Sequence, residues 1–183
     1  MTDSRRMLVL GLGNVLCGDD GLGVAAVARL AERWEIAPEV CVADGGTLGL
    51  SLLGLFDGMD EVLLVDAILA DVPPGSLVAL DGDEVAPAAR ARLSVHQVGV
   101  ADLLDALDLL GTRPRRLSLL GLVPEQLELG TQRSAVVERA LPGLVDRVAR
   151  EIRERGHTVM PRRSGGAHAQ APVDRDAARA LGL

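Results

Sequence analysis

Aromatic residues are almost missing from this chain: it has Trp34, Phe56 and no tyrosine. Single-stranded nucleic acids are held on aromatic stacking platforms, and phosphate backbones by clustered cations. With 26 acidic residues against 19 Lys and Arg and a net charge of −7, the chain offers neither, which argues against a nucleic-acid partner. Cysteine is scarce too. Cys17 and Cys41 form no C-x-x-C pair, so no disulfide framework is implied and a reducing compartment, the cytoplasm, fits best. No apolar run reaches the about 18 residues of a membrane span, so no membrane is expected as a partner. Ser4-Arg5-Arg6 ahead of Met7 to Leu10 has a faint look of a twin-arginine signal. The apolar run breaks at Gly13-Asn14 and meets Asp19-Asp20, with no small-residue cleavage site, so it reads as a solvated lead-in to a first strand.

What the chain does have is aliphatic. Hydrophobic residues make up 48% of 183, enough for one domain with a sizeable core of Leu, Val, Ile and Ala. Met7 to Leu12 and Glu61 to Asp66 are apolar runs of the kind that form strands buried on both faces. Val40 to Ala43, Ser76 to Leu80 and Arg116 to Leu122 read as further strands, the second at an edge. Gly21 to Arg33 reads as a helix with Asp19 or Asp20 as its cap. Leu48 to Phe56 reads as a short apolar helix capped by Thr47. Residues Asp81 to Leu93 read as loop or weak helix, His96 to Leu110 as an amphipathic helix, and Ala135 to Arg155 as a long last helix with Gly156 as its C-cap. Strands alternating with helices predict an α/β fold with a mostly parallel sheet covered on both faces. The expected organisation is a single domain over residues 1–161 and a flexible tail over 162–183, where the sequence turns polar and Ala-rich.

In an open parallel sheet, ligands bind beyond the carboxyl ends of the strands. Three acidic groups are expected along that edge: Asp19-Asp20 after the first strand, Asp44 after the second and Asp66 at the end of the third. The first loop opens as Gly11-Leu12-Gly13, like a dinucleotide fingerprint. Its third glycine position is Leu16, however, and Asp19-Asp20 lie where pyrophosphate would sit, so they would repel it. A divalent ion is the better match for carboxylates and an imidazole drawn from separate segments. His157 and His168 are expected to be solvated. His96, before or at the start of an amphipathic helix, reads by composition as a capping or core residue, Asp20 as a helix cap and Asp66 as a hydrogen-bonded strand end. Only their convergence would make them ligands. Cys17 reads as a bystander beside two carboxylates that disfavour a thiolate. Arg113 to Arg116 reads as a solvated loop.

The motifs in their order resemble the hydrogenase maturation proteases. Gly11 to Leu16 with Asp19-Asp20-Gly21-Leu22-Gly23 is similar to the family's first signature, and Asp44-Gly45-Gly46-Thr47 to the second. Leu64-Val65-Asp66-Ala67 is similar to the third, His96-Gln97-Val98-Gly99 with Ala101-Asp102 to the fourth, and Gly121 to Glu125 to a late strand and loop. The match spans roughly residues 7 to 161. The resemblance implies a three-layer α/β/α sandwich around a twisted sheet. It implies a metal site, with nickel as the expected ion, made by Asp20, Asp66 and His96, which would also be the catalytic residues. Asp44, Gly45 and Gly46 would recognise substrate. The implied activity is a metal-dependent or nickel-recognising aspartic-type endopeptidase that removes the C-terminal extension of a nickel-loaded hydrogenase large-subunit precursor. The nickel would be bound by the enzyme or supplied by that substrate. A non-catalytic nickel chaperone for the same precursor is the alternative, and a nucleotide-binding domain a more distant one.

Overall fold

The structure, a computed structural model, describes residues 5–91 and 98–162. Five strands form the central sheet: β1 (Met7–Leu12), β3 (Val40–Gly46), β4 (Glu61–Ala67), β5 (Leu77–Asp81) and β6 (Arg116–Leu122). Their order is β3-β1-β4-β6-β5, parallel except for β5, which runs antiparallel at the edge beside β6. The apolar runs explain the centre of this order. Every residue of β1 and β4 is buried, as strands covered on both faces require.

Side chains alternate across the sheet and feed two cores. Met7, Val9, Leu63, Val65, Leu120 and Leu122 face α1 (Leu22–Arg33) and α4 (Ala135–Glu154). Leu8, Leu10, Val62, Leu64, Leu117 and Leu119 face α2 (Val85–Ala91), α3 (Val98–Leu110) and a 3-10 helix over Gly49–Phe56. This is the three-layer α/β/α sandwich expected. Helices α1 and α4 are joined by Arg29, which reaches Glu138, a carboxylate that Arg133 also approaches from just before α4. The hydrogen bond from Arg29 is the main reason the Glu138 carboxyl ionises below its usual range.

Several expectations are corrected. The segment after β3 is a 3-10 helix, and neither Thr47 nor any other side chain caps it; Leu48 stands at the N-cap. Neither Asp19 nor Asp20 caps α1: both lie inside a 3-10 turn over Gly18–Gly21, and Gly21 is the N-cap. The chain after α1 pairs as β2 (Trp34–Ile36) with β7 (Val159–Pro161) in a small antiparallel sheet of its own. His157 is buried, with Nδ1 3.7 Å from Glu39 Oε1, because the turn at Gly156 folds the chain back under α4. His168 and the tail over 162–183 fall outside the described residues, apart from Arg162, whose guanidinium donates to the carbonyl of Ala31.

Candidate active site

At the carboxyl edge, the loop after β1 is held to its neighbours by its own backbone. Gly13 donates to the carbonyl of Gly46, which ties this loop to the turn after β3. Asn14 then folds the loop over itself, its side chain accepting from Leu16 N and its carbonyl from Cys17 N. Gly13 has φ 117°, open to glycine, and a Cβ there would lie 1.8 Å from the carbonyl oxygen of Asp20. The same Cβ position is 3.6 Å from Asp66 Oδ1. Asp20 and Asp66 therefore flank Gly13, one from the loop and one from the end of β4.

Each carboxylate is held differently. Asp20 is buried. Its Oδ2 accepts from Asn14 N at 2.7 Å, while Oδ1 is buried with no hydrogen-bond partner. A buried carboxylate oxygen without a donor is costly, so it marks a place where a cation or a proton donor belongs. Asp66 is also buried. Its Oδ1 accepts from Ala67 N at 2.7 Å, and its side chain lines a small pocket with Leu12, Leu64, Val85, Val100 and Leu119. Among the described residues no three Asp, Glu, His or Cys side chains form a metal-holding group. His96, the third residue of the expected set, lies outside the described residues; of the other two, the backbone of Asp20 and the carboxylate of Asp66 both lie against Gly13. The chain resumes at Val98, and Val100 lines the pocket beside Asp66.

Asp44, Gly45 and Gly46 sit next to this pair. Asp44 is exposed and its Oδ1 accepts from Gly46 N at 2.9 Å, closing a tight turn in which Gly46 has φ 46°. Gly45 is buried against Leu10, whose Cδ1 would lie 2.8 Å from a Cβ there. All three acidic positions foreseen for this edge are on it, since Asp44 pairs with Gly11 and Asp66 with Gly121 in the sheet register. Cys17 is buried, and its backbone pairs with Gly130 in an isolated bridge.

Asp19 is the residue whose part was not foreseen. Fully buried, it accepts from Glu125 N and Gln126 N through Oδ2, at 2.9 and 3.0 Å, and from Ser134 N through Oδ1 at 2.7 Å. It pins the β6–α4 loop to the β1–α1 loop. Of the adjacent aspartates, Asp19 is satisfied by backbone donors and Asp20 keeps an oxygen unused.

Two buried aspartates at a glycine loop on the carboxyl edge of a parallel sheet are groups that could hold a cation or assist a hydrolytic reaction. Comparison with known proteins gives this arrangement a family. The family model for hydrogenase maturation proteases matches residues 24–151. The hydrogenase 2 maturation protease of Escherichia coli is 37% identical over 158 residues, 86% of this chain and 96% of that protein. The hydrogenase expression/formation protein HupD of Rhizobium leguminosarum is also 37% identical, over 88% of this chain and 81% of its own length. The solved hydrogenase maturating endopeptidase HybD of E. coli superposes with a TM-score of 0.82 at 37% identity, covering 86% of this chain and 98% of its own. That of Thermococcus kodakarensis gives 0.67 at 30%, covering 80% and 98%. The chain belongs to the hydrogenase maturation protease family, and is a hydrolase of the endopeptidase class.

Proposed function

We propose that this endopeptidase removes the C-terminal extension of a nickel-loaded hydrogenase large-subunit precursor, and that Asp20, Asp66 and His96 read the precursor's nickel at the carboxyl edge of the sheet. The observation that carries this reading is Asp20 Oδ1, a buried carboxylate oxygen with no hydrogen-bond partner, on the loop whose Gly13 lies against the Asp66 carboxylate. Two carboxylate oxygens and an imidazole are a fitting donor set for a borderline divalent ion, and three donors leave positions open for ligands that arrive with the substrate. Nickel, when bound, supplies Lewis-acid polarisation of a carbonyl oxygen.

The chain's own groups do the rest. A carboxylate within reach of water accepts its proton as the oxygen attacks the scissile carbonyl carbon. The C–N bond then breaks, the proton passes to the leaving amine, and a new carboxylate ends the mature chain. In this reading Asp44, Gly45 and Gly46 hold the precursor backbone; their link to the Gly13 loop, one hydrogen bond from Gly13 N to Gly46 O, supports it. The reaction is assigned to the cytoplasm, which suits the two unpaired cysteines; no helix among the described residues is long and apolar enough to cross a membrane.

The test pairs mass spectrometry of nickel-loaded precursor with nickel titration for the parent, Asp20→Asn, Asp66→Asn and His96→Ala. Loss of a ligand should weaken nickel binding by about tenfold or more, on the scale of a perturbed metal site, and abolish cleavage with little change in Tm. A parent that binds precursor and nickel but never shortens the precursor would establish the chaperone reading instead.

A further inference from the structure

Most exposed large apolar side chains among the described residues cluster in the loops that follow the carboxyl ends of β1, β3, β4 and β6. Two of those loops are joined into one surface. Gly18 N donates to Gly130 O at 2.7 Å and Gly130 N to Leu16 O at 2.8 Å, while Asp19 gathers Glu125, Gln126 and Ser134 from beneath. On this stitched surface Val15 is 51% exposed, Leu16 57%, Leu127 37% and Leu129 89%. Isolated exposed leucines are ordinary, but several on one tied pair of loops mark an interaction surface. Its charge has one sign. Glu125 and Glu128 are exposed on the same loop as Leu127 and Leu129, and residues 13–21 and 123–132 contain no Lys or Arg. The next cation, Arg133, is bound at 2.9 Å to Glu138 and so does not neutralise it.

We infer that this surface docks an apolar segment of the large-subunit precursor that carries basic side chains, and that docking presents the scissile region to the Asp20–Asp66 edge. The inference rests on the proposed function and extends it to a substrate class. Continuity supports it, because the loop bearing Val15 and Leu16 is the loop whose Asn14 N is held by Asp20 Oδ2. Apolar burial provides affinity, and the two glutamates select a basic partner and speed its approach. The pinning by Asp19 holds the surface in shape before the partner arrives, which lowers the ordering cost of binding.

The test measures precursor affinity and cleavage kinetics with purified nickel-loaded precursor as the probe. Leu16→Ser/Leu129→Ser should raise KM and Kd for the precursor by about tenfold or more with kcat within about twofold, since both side chains are exposed and outside the chemistry. Tm and nickel affinity should match the parent. Glu125→Gln/Glu128→Gln should weaken binding at low salt and flatten its dependence on ionic strength. Parental KM and Kd in the leucine variant would overturn the docking surface, and an unchanged salt dependence in the glutamate variant would overturn its basic partner. If the leucine variant instead converts a parental dimer to a monomer with KM unchanged, the surface holds a second copy of this chain and the inference fails. A parent that binds precursor without cutting it would overturn the peptidase reading alone, leaving docking to be decided by Kd. A parent that neither binds nor cuts would overturn both.

Discussion

Side by side in the chain, Asp19 and Asp20 have opposite tasks, set by what reaches them. Three backbone N–H groups satisfy Asp19, whereas Asp20 leaves one buried oxygen without a hydrogen bond. Asp19→Asn should therefore be a stability variant in the first place. An amide offers one acceptor oxygen where the carboxylate offers two, so Ser134 N or the Glu125 and Gln126 amides lose their partner. Orphaning a buried donor costs ~1–3 kcal/mol, and chemical denaturation should show a loss of that size. A variant as stable as the parent would show that the contacts to the β6–α4 loop are incidental. The same comparison shows why sequence reading treated the pair as interchangeable caps. The donors to Asp19 lie 106 to 115 residues further along the chain, where no local pattern registers them. Asp66 was legible because it ends an apolar run, and Asp44 because a turn of two glycines follows it. His157 was misread because a histidine after a helix end looks solvated unless the returning chain is known.

At the scale of elements, the position of α1 depends on glycines that let backbone touch backbone. A Cβ on Gly23 would stand 2.1 Å from Val65 O and 2.4 Å from Leu12 O, and one on Gly11 would stand 2.5 Å from Gly23 O. These neighbours are main-chain atoms of β1, β4 and α1 itself, which cannot turn aside as a side chain can. Gly23→Ala should lift the N-terminus of α1 off the sheet and carry the Gly18–Gly21 turn with it. The expected result is destabilisation of at least the ~1–3 kcal/mol typical of overpacking, with weaker nickel binding because Asp20 moves relative to Asp66. Thermal melts and nickel titration of the same sample would check both, and unchanged values for both would mean that the helix does not seat the loop. The long elements were readable in advance: β1, β4 and β6 as apolar runs, α4 as an amphipathic run closed by Gly156. The short ones were not. β2 and β7 have three residues each, and Trp34-Glu35-Ile36 carries no periodicity that separates it from the end of α1. The Gly49–Phe56 segment was legible as apolar and helical, but its 3-10 form is a matter of hydrogen-bond spacing that composition does not encode.

Across the whole molecule, charge is divided between the two ends of the sheet. The carboxyl edge holds the buried carboxylates of Asp20 and Asp66, while the amino edge holds an ion cluster. There Arg155, buried at the end of α4, lies 3.6 Å from Glu61 Oε2 and 3.1 Å from Glu151 Oε1, and donates to Ser118 Oγ at 2.7 Å; Ser118 in turn donates to Asp81. Arg5, Arg116 and Arg147 approach the same two glutamates from the rim. The members come from β4, β5, β6 and α4, so the cluster fastens the antiparallel edge and the last helix to the sheet. None of this was visible in the sequence, where Glu61 reads as the start of a strand and Arg155 as the end of a helix. Removing the central guanidinium would leave Glu61 and Glu151 with only the rim arginines as counter-charges, and losing the buried partner of an ion pair costs up to ~3–5 kcal/mol. Arg155→Ala should therefore lower Tm sharply, more than any carboxyl-edge variant. Nickel affinity and precursor KM per folded molecule should stay at parental values below the melting transition, because the cluster lies a full strand length from Asp20 and Asp66. Arg155→Met, similar in reach but uncharged, separates the lost packing from the lost charge: it should be as unstable as the alanine variant if the stranded glutamates dominate. Circular dichroism melts beside nickel titration decide the matter, and an Arg155→Ala protein that keeps its Tm but loses nickel binding would reverse the assignment of stability to one edge and chemistry to the other.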